Sequence, residues 1–447
     1  MNAGHPLPAR DTSWAAPLAQ ALAAPPAGPA WWTVSAPAVA PAALGGAFPE
    51  HTGVVWAPPN GSGWVACDLL RALPRTEDDG GAWAVGVQRR LAEFTVTGAG
   101  PLAVAVLAFD PRHPPGAESS RFGRDLVFIP RWLYRRQGGR GSLALGLDGR
   151  ESPATLEALR EALERWKRLL DAPRSRTGLP AVLEREELPG PRQWEAMVNT
   201  ALEALEAGAI EKVVLSRRLR LRLAQAPDPA EVLARLAESS PHATAFAARC
   251  QGAVFLGASP ELLVARMGGQ VRSEALAGSA TEDDRLATTK NLAEHALTIA
   301  GIQRTLQTFC QACHVAPEPR VLSLRHVRHL KTPIEGRLRD PTTNALQLAL
   351  ALHPTPAVGG TPTTRAREMI HRLEGTSRGW YAGALGWIDA RGDGAFRVAL
   401  RCGRLEGSTA WLHAGAGIVP GSRPAAEFRE TEIKFRPLLA ALGALER

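Results

Sequence analysis

The sequence predicts an α+β fold built on antiparallel strands, with helices between and after them. Three observations carry this. Short apolar runs bounded by Gly and Pro recur along the chain, as at 53–56, 102–109 and 125–130. The helical periodicities do not alternate one-for-one with those runs, which argues against a doubly wound parallel sheet. Neither a GxGxxG turn nor a Walker loop occurs, so no dinucleotide or nucleotide crossover is indicated.

In order, residues 1–30 read as a poorly ordered Ala/Pro leader. The N-terminal part of the fold, 31–185, carries strand-like runs at 53–56, 82–87, 102–109 and 125–130. Ser152-Pro153 opens a helix to about 170 with Leu156, Leu159, Leu163 and Trp166 on one face. Residues 171–189 read as a polar connector. The C-terminal region, 186–447, begins with a helix over 191–207, ended by Gly208. A β-branched strand follows at 210–217, then a helix at 229–238 and strands at 243–250, 253–258 and 262–266. Ser259-Pro260-Glu261 separates the last two. Residues 271–280 run from a strand into a small-residue turn, and 282–285 form a charged loop. A long helix over 287–312 contains the lone Cys310/Cys313 pair. Strands at 321–329 and 332–338 precede helices at 344–352 and 364–373. Strands at 380–388, 395–404 and 410–414 follow, the first two joined by Gly392-Asp393-Gly394. The Gly415-Ala416-Gly417 stretch reads as a ligand-approaching loop. The last helix has Pro424 in its first turn and Ser422 as its cap. It places Glu427, Glu430 and Lys434 on one face, which the helix alone lets stand either as a solvated face with an ordinary Glu–Lys pair or as a stripe suited to a hard cation and an anionic ligand.

Composition narrows the class. With 45% hydrophobic and 21% charged residues over 447 positions, the chain is that of a soluble globular protein. No apolar run reaches the ~20 residues of a membrane helix, and no secretory pattern opens the chain, so cytoplasm is the expected compartment. Five cysteines in 447 residues do not make a disulfide framework. The net charge of +8 raises nucleic-acid binding, yet the arginines are scattered and no aromatic-interleaved basic stripe is present. The excess reads as solvated surface that also draws in anions. Lysine is confined to Lys167, Lys212, Lys290, Lys331 and Lys434. A lysine kept where arginine is otherwise used marks positions where a removable proton matters.

Lys212-Val213-Val214-Leu215-Ser216-Arg217, Ser259-Pro260-Glu261, Leu276-Ala277-Gly278-Ser279, Glu294-His295, the His353–Gly360 run, Tyr381-Ala382-Gly383, Arg401, Gly415-Ala416-Gly417-Ile418 and Glu427…Glu430…Lys434 occur in this order. The set resembles the chorismate-utilising enzymes over about 191–447, and only loosely before that. The resemblance implies one domain in which two antiparallel sheets pack over a core with helices outside and a cleft between them. It implies a Mg²⁺ ion on Glu294 and Glu430, with Glu427 reached through water. The ring carboxylate of chorismate would meet this ion and the Gly278 backbone in the Gly278-Ser279 turn. Tyr381 and Arg401 would clamp the enolpyruvyl carboxylate, while Lys434 and the Gly415–Gly417 stretch add anion contacts and His329 lies on the substrate side. Lys212 matches the base that activates water at C2, and Glu261 the acid that protonates the C4 hydroxyl as it leaves.

Within the family, the ammonia-using members carry Gln where this chain has Lys212, so the nucleophile is read as water. Aminodeoxychorismate synthases place a Lys at Ala277, and salicylate synthases a Glu at Asn291. The resemblance is therefore nearest to isochorismate synthase, with the product feeding menaquinone or siderophore synthesis and no obligate glutamine amidotransferase subunit. A monomer or weak homodimer is expected. Salicylate synthase is the alternative. Anthranilate or aminodeoxychorismate synthase, a non-catalytic relative and a basic nucleic-acid-binding protein stand further off. Ala275 departs from the family, where Pro is common before the Leu-Ala-Gly turn.

Overall fold

The computed structural model describes residues 12–44, 52–75, 80–113, 122–171, 178–280, 286–325 and 327–445. The charged loop expected at 282–285 lies outside them. Among the described residues, 21 strands hydrogen-bond into one continuous, almost wholly antiparallel network. The exception is a short parallel pairing of Ala30–Ala36 with Thr95–Thr97.

The network consists of two arrays that share one strand. The first passes from Ala30–Ala36 through Arg140–Leu147, Leu126–Gln137, Gly63–Ala72, Gly53–Ala57, Thr244–Cys250, Ala253–Ser259, Cys402–Glu406 and Thr409–Ile418 to Lys212–Leu223. The second passes from Leu102–Leu107 through Ala384–Asp389, Gly394–Val398, Leu262–Met267 and Gln270–Ala280 to Arg328–Leu338. Leu126–Gln137 joins them: Leu126 to Phe128 pair with Leu102–Leu107, and Trp132 to Gln137 pair with Arg140–Leu147. The α+β class and the antiparallel packing are as the sequence predicts.

Both faces of the first array are apolar, and period-2 alternation sends neighbours into different cores. Val54, Trp56 and Leu133 enter one; Val55, Trp132 and Tyr134 enter the other. Helix Thr289–Phe309 packs on Gln270–Ala280, and helix Pro424–Ala441 packs on Thr409–Ile418. These two helices bring the predicted carboxylates to the sheet.

Several expectations change. Within the expected leader, Ala16–Ala23 is a helix whose Leu18 and Leu22 are buried in the second core, and Arg160 donates to the Leu22 carbonyl at 3.0 Å. Apolar spacing outweighs Ala/Pro composition there. The strand read at 82–87 is helix Gly80–Leu91, with Ala84, Val87 and Leu91 buried at helical spacing. The polar connector contains the strand Val182–Leu188, so the boundary between 185 and 186 cuts through a sheet element. Its polarity has a cause: it is an edge strand whose Glu184 and Glu186 pair with Arg222 and Arg220 of its neighbour. The long helix ends at Phe309, which places Cys310 and Cys313 in the strand Cys310–Val315. The last helix is capped by Arg423 without a side-chain bond, while the Ser422 hydroxyl accepts from Val419 N–H at 3.2 Å.

Candidate active site

The Gly415–Gly417 stretch is not a loop but the end of the strand Thr409–Ile418, paired in register with Val213–Ser216. The glycines serve shape rather than N–H donation. A Cβ on Gly417 would stand 2.2 Å from Glu294 Oε1, and one on Gly415 would stand 2.8 Å from the Tyr381 hydroxyl. Strand alternation puts His413 on the same face as both. A smooth strip of backbone thus forms one wall of a cleft.

Glu261, Gly278, Ser279, Glu294, His329, Tyr381, Arg401, Gly415, Gly417 and Lys434 all line this cleft. Glu261 sits where the chain turns between two strands; its N–H donates to Ser259 Oγ at 3.3 Å, and that hydroxyl donates to the Val398 carbonyl. Burial pushes the Glu261 carboxyl up to about 8, with Glu274 adding to the rise and Lys212 and Arg401 opposing it. A carboxyl so placed keeps its proton near neutrality. Gly278 is skipped in the pairing with Arg328–Leu338 and has a φ of +74°, a bulge that turns its N–H away from the ladder. Asn291 holds this turn, donating to the Ser279 and Leu286 carbonyls at 3.2 and 2.8 Å.

Arg401 occupies the left-handed region at φ +51° between two strands and donates to His329 Nε2 at 2.8 Å. Because arginine only donates, His329 Nε2 accepts and Nδ1–H donates to Ser279 Oγ at 3.1 Å. Burial, Arg401 and Lys434 hold His329 well below the usual imidazole range, so the ring is neutral. Tyr381 stacks on His413 with ring centroids 5.0 Å apart. Burial raises the Tyr381 phenol and keeps it a donor.

Three lysine–glutamate pairs stand at the cleft wall, with Glu294 and Lys434 facing the cleft. Lys212 is fully buried, with Nζ 3.1 Å from Glu294 Oε1 and 3.4 Å from Thr298 Oγ1. Lys434 Nζ lies 2.6 Å from Glu430 Oε1 and donates to the Gly415 carbonyl at 2.8 Å. Lys290 pairs with Glu427. Burial works against the Glu294 anion, but Lys212, Lys290 and Lys434 together hold its pKa below the ordinary value. Lys212, Glu427 and Glu430 are thus near the cleft but not in its lining, one layer behind the expected place.

Arg378 braces the wall. Its guanidinium donates to the Val214 and Val358 carbonyls at 2.6 and 2.7 Å and pairs with Glu374, which accepts from Ser216 N–H at 2.8 Å. The Lys212 strand, the 354–360 run and the last turn of helix Thr363–Glu374 are locked together by this one side chain. Sequence reasoning missed Lys290, His413 and Arg378. Lys290 had a signal, being one of five lysines and one helical turn before Glu294. His413 would follow from reading Gly415 and Gly417 as a strand.

For a metal, the donor chemistry fits. Mg²⁺ commonly takes one or two carboxylates and completes its shell with water. Glu294 and Glu430 supply such donors, and Glu427 Oε2 is buried with no hydrogen-bond partner. Among the described residues no group of three or more acidic, His or Cys side chains stands placed to hold a metal ion, so two carboxylates and water would have to serve.

Comparison with known proteins gives the family. Residues 82–443 match the family described as chorismate binding enzyme. The chain is 35% identical over 361 residues to isochorismate synthase MenF of Bacillus subtilis, covering 78% of this chain and 76% of that one. It is 41% identical over 274 residues to isochorismate synthase DhbC of the same organism, covering 57% and 69%. The solved structure of the menaquinone-specific isochorismate synthase MenF of Escherichia coli superposes with a TM-score of 0.79 at 27% identity, over 96% of this chain and 99% of that one.

Proposed function

The chain belongs to the chorismate-binding enzymes, and from that premise we propose that it is an isochorismate synthase. The observation that carries the choice within the family is the buried Lys212, a base at the position where an ammonia-using relative has none, behind a cleft that also holds the protonated Glu261. In the reaction, Lys212 takes a proton from water as its oxygen bonds to C2 of the ring. The ring double bonds shift, the C4–O bond breaks, and the Glu261 proton leaves with the hydroxyl as water. One water enters and one departs, so the net change is isomerisation.

Arg401 and Tyr381 bind the enolpyruvyl carboxylate, and neutral His329 orients Arg401. The Gly278 N–H and Lys434 meet the ring carboxylate. Glu294 and Glu430 would hold Mg²⁺, with Glu427 reached through water; when bound, the ion neutralises the ring carboxylate and fixes the ring. No amidotransferase partner is required by a water nucleophile. The product serves menaquinone or siderophore synthesis. A nucleic-acid role has little support: arginines such as Arg71, Arg131, Arg220, Arg222 and Arg266 are paired with carboxylates. No helix among the described residues is long and apolar enough to cross a membrane.

The test is to incubate the purified protein with chorismate and Mg²⁺ and identify the product by chromatography and NMR. Isochorismate is expected. Salicylate with pyruvate would establish the salicylate synthase alternative, and no turnover would mark a non-catalytic relative.

A further inference from the structure

We infer that Lys290 is the resident counter-cation of Glu427 in the metal-free protein and yields its place when Mg²⁺ binds beside that carboxylate. The inference rests on the metal assignment above. It begins with burial: Glu427 is 1% exposed, and an isolated carboxylate that deep is costly unless a cation faces it. Lys290 supplies that cation through its ion pair with Glu427 Oε1. The other oxygen of the same carboxylate has no hydrogen-bond partner. Lys290 is therefore the cation that satisfies this buried carboxylate, with the Ser422 side chain beside it.

The three lysines are not equivalent. Lys212 spans Glu294 and the Thr298 hydroxyl, and Lys434 spans Glu430 and the Gly415 carbonyl. Each has a neutral second partner on a regular element, Thr298 of the long helix for Lys212 and Gly415 of the last strand for Lys434. Among the described residues Lys290 hydrogen-bonds only to Glu427, and the charges of Glu427, Glu430 and Glu294 all act on it, outweighing the cost of its burial. Exposure separates them further. The Lys212 side chain is 0% exposed and that of Lys434 12%, whereas Lys290 is 25% exposed. A long aliphatic stem with an open end lets the ammonium swing to water while the stem stays packed. Of the three, Lys290 alone combines a pair with the deeply buried Glu427 and a way out to solvent.

A divalent ion entering among these carboxylates meets the ammonium as a competitor. Either the ammonium leaves, giving up its pair, or it stays and repels the ion; both weaken metal binding. Removing the Lys290 charge therefore tightens Mg²⁺ binding and destabilises the metal-free protein, where three acids are left with two lysines.

The experiment compares wild type, Lys290→Met and Lys290→Arg by titration calorimetry with Mg²⁺ alone, and by thermal unfolding with and without Mg²⁺. Lys290→Met should bind Mg²⁺ about tenfold more tightly, a modest fraction of the Coulomb energy between unit charges at ~4 Å. Its metal-free form should melt below wild type and gain more on adding Mg²⁺. Lys290→Arg, which keeps the charge, should remain near wild type in both. Equal or weaker binding by Lys290→Met would overturn the inference and make Lys290 a residue that merely aims Glu427. Failure of the wild type to bind Mg²⁺ would instead overturn the metal assignment. Should Lys290→Met not fold, Lys290→Gln reads out the same sign.

Discussion

The Lys212 ammonium lies 3.1 Å from the Glu294 carboxylate, and the lysine has no exposed surface. In this pairing Lys212 is a cation held by its counter-ion. To act as a base it must give up a proton, and Glu294 must then find another partner. The residue proposed to activate water and one of those proposed to hold the metal are therefore in direct contact.

That contact makes charge and basicity separable by mutation. Lys212→Arg keeps the cation but supplies a group that does not lose its proton. Turnover of chorismate should fall by on the order of 10²–10⁴ in Lys212→Arg, Lys212→Ala and Glu261→Gln. Chorismate affinity, measured by equilibrium binding, should change far less. A Lys212→Arg variant near the wild-type rate would show that only the charge matters.

The Glu261 carboxyl, raised to about 8 by burial, gives a pH dependence with a defined sign. The acid must carry its proton, so the rate should decline as pH rises through about 8. Stability carries the same sign. The native state binds a proton that the unfolded chain has lost above its ordinary carboxyl pKa, so unfolding free energy falls with rising pH from about 4.5 to about 8. Denaturant titrations across that window should show a shallower slope in Glu261→Gln than in wild type. Equal slopes would mean that Glu261 titrates normally.

Gly417→Ala tests the smooth wall. The new methyl would fall 2.2 Å from Glu294 Oε1 and must push that carboxylate off Lys212. A displacement of about 1 Å at such a site costs on the order of 10² in rate. The expected result is that loss, with an unchanged circular dichroism spectrum. Wild-type activity would mean that Glu294 has room to retreat.

Glu430→Gln should raise the Mg²⁺ concentration for half-maximal activity by at least about tenfold while the fold survives. Chelation should abolish wild-type turnover, and added Mg²⁺ should restore it. Activity that persists through chelation would remove the metal from the reaction.

Much of the site is legible in the sequence because the reacting groups lie in short ordered motifs: Lys212, Glu261, Glu294, Glu430 and Lys434 all reach one region. What the sequence conceals is backbone context. Gly415-Ala416-Gly417 reads as a loop because glycine is rare in strands, and only the nearness of Glu294 and Tyr381 shows why bare backbone is needed there. The strand Val182–Leu188 is hidden by its charges, since an exposed edge with cross-strand Glu–Arg pairs has no apolar alternation to detect. Helix Gly80–Leu91 is hidden for the opposite reason, its small apolar residues fitting either period. Arg378 and Lys290 act through partners distant in sequence, which spacing does not disclose.

The strand Leu126–Gln137, common to both arrays, has a consequence for how the molecule comes into being. Its neighbour Leu102–Leu107 is completed by Ala384–Asp389, and Gly53–Ala57 by Thr244–Cys250, so each of these early strands gains its second partner only after a much later stretch of chain has been synthesised. Such long loop closures slow assembly and leave unpaired edges waiting. The N-terminal third is then no detachable accessory to the catalytic part. It is the first-made half of a joint that the last-made segments must find, and nascent chains halted before that point carry open strand edges for other chains to seize.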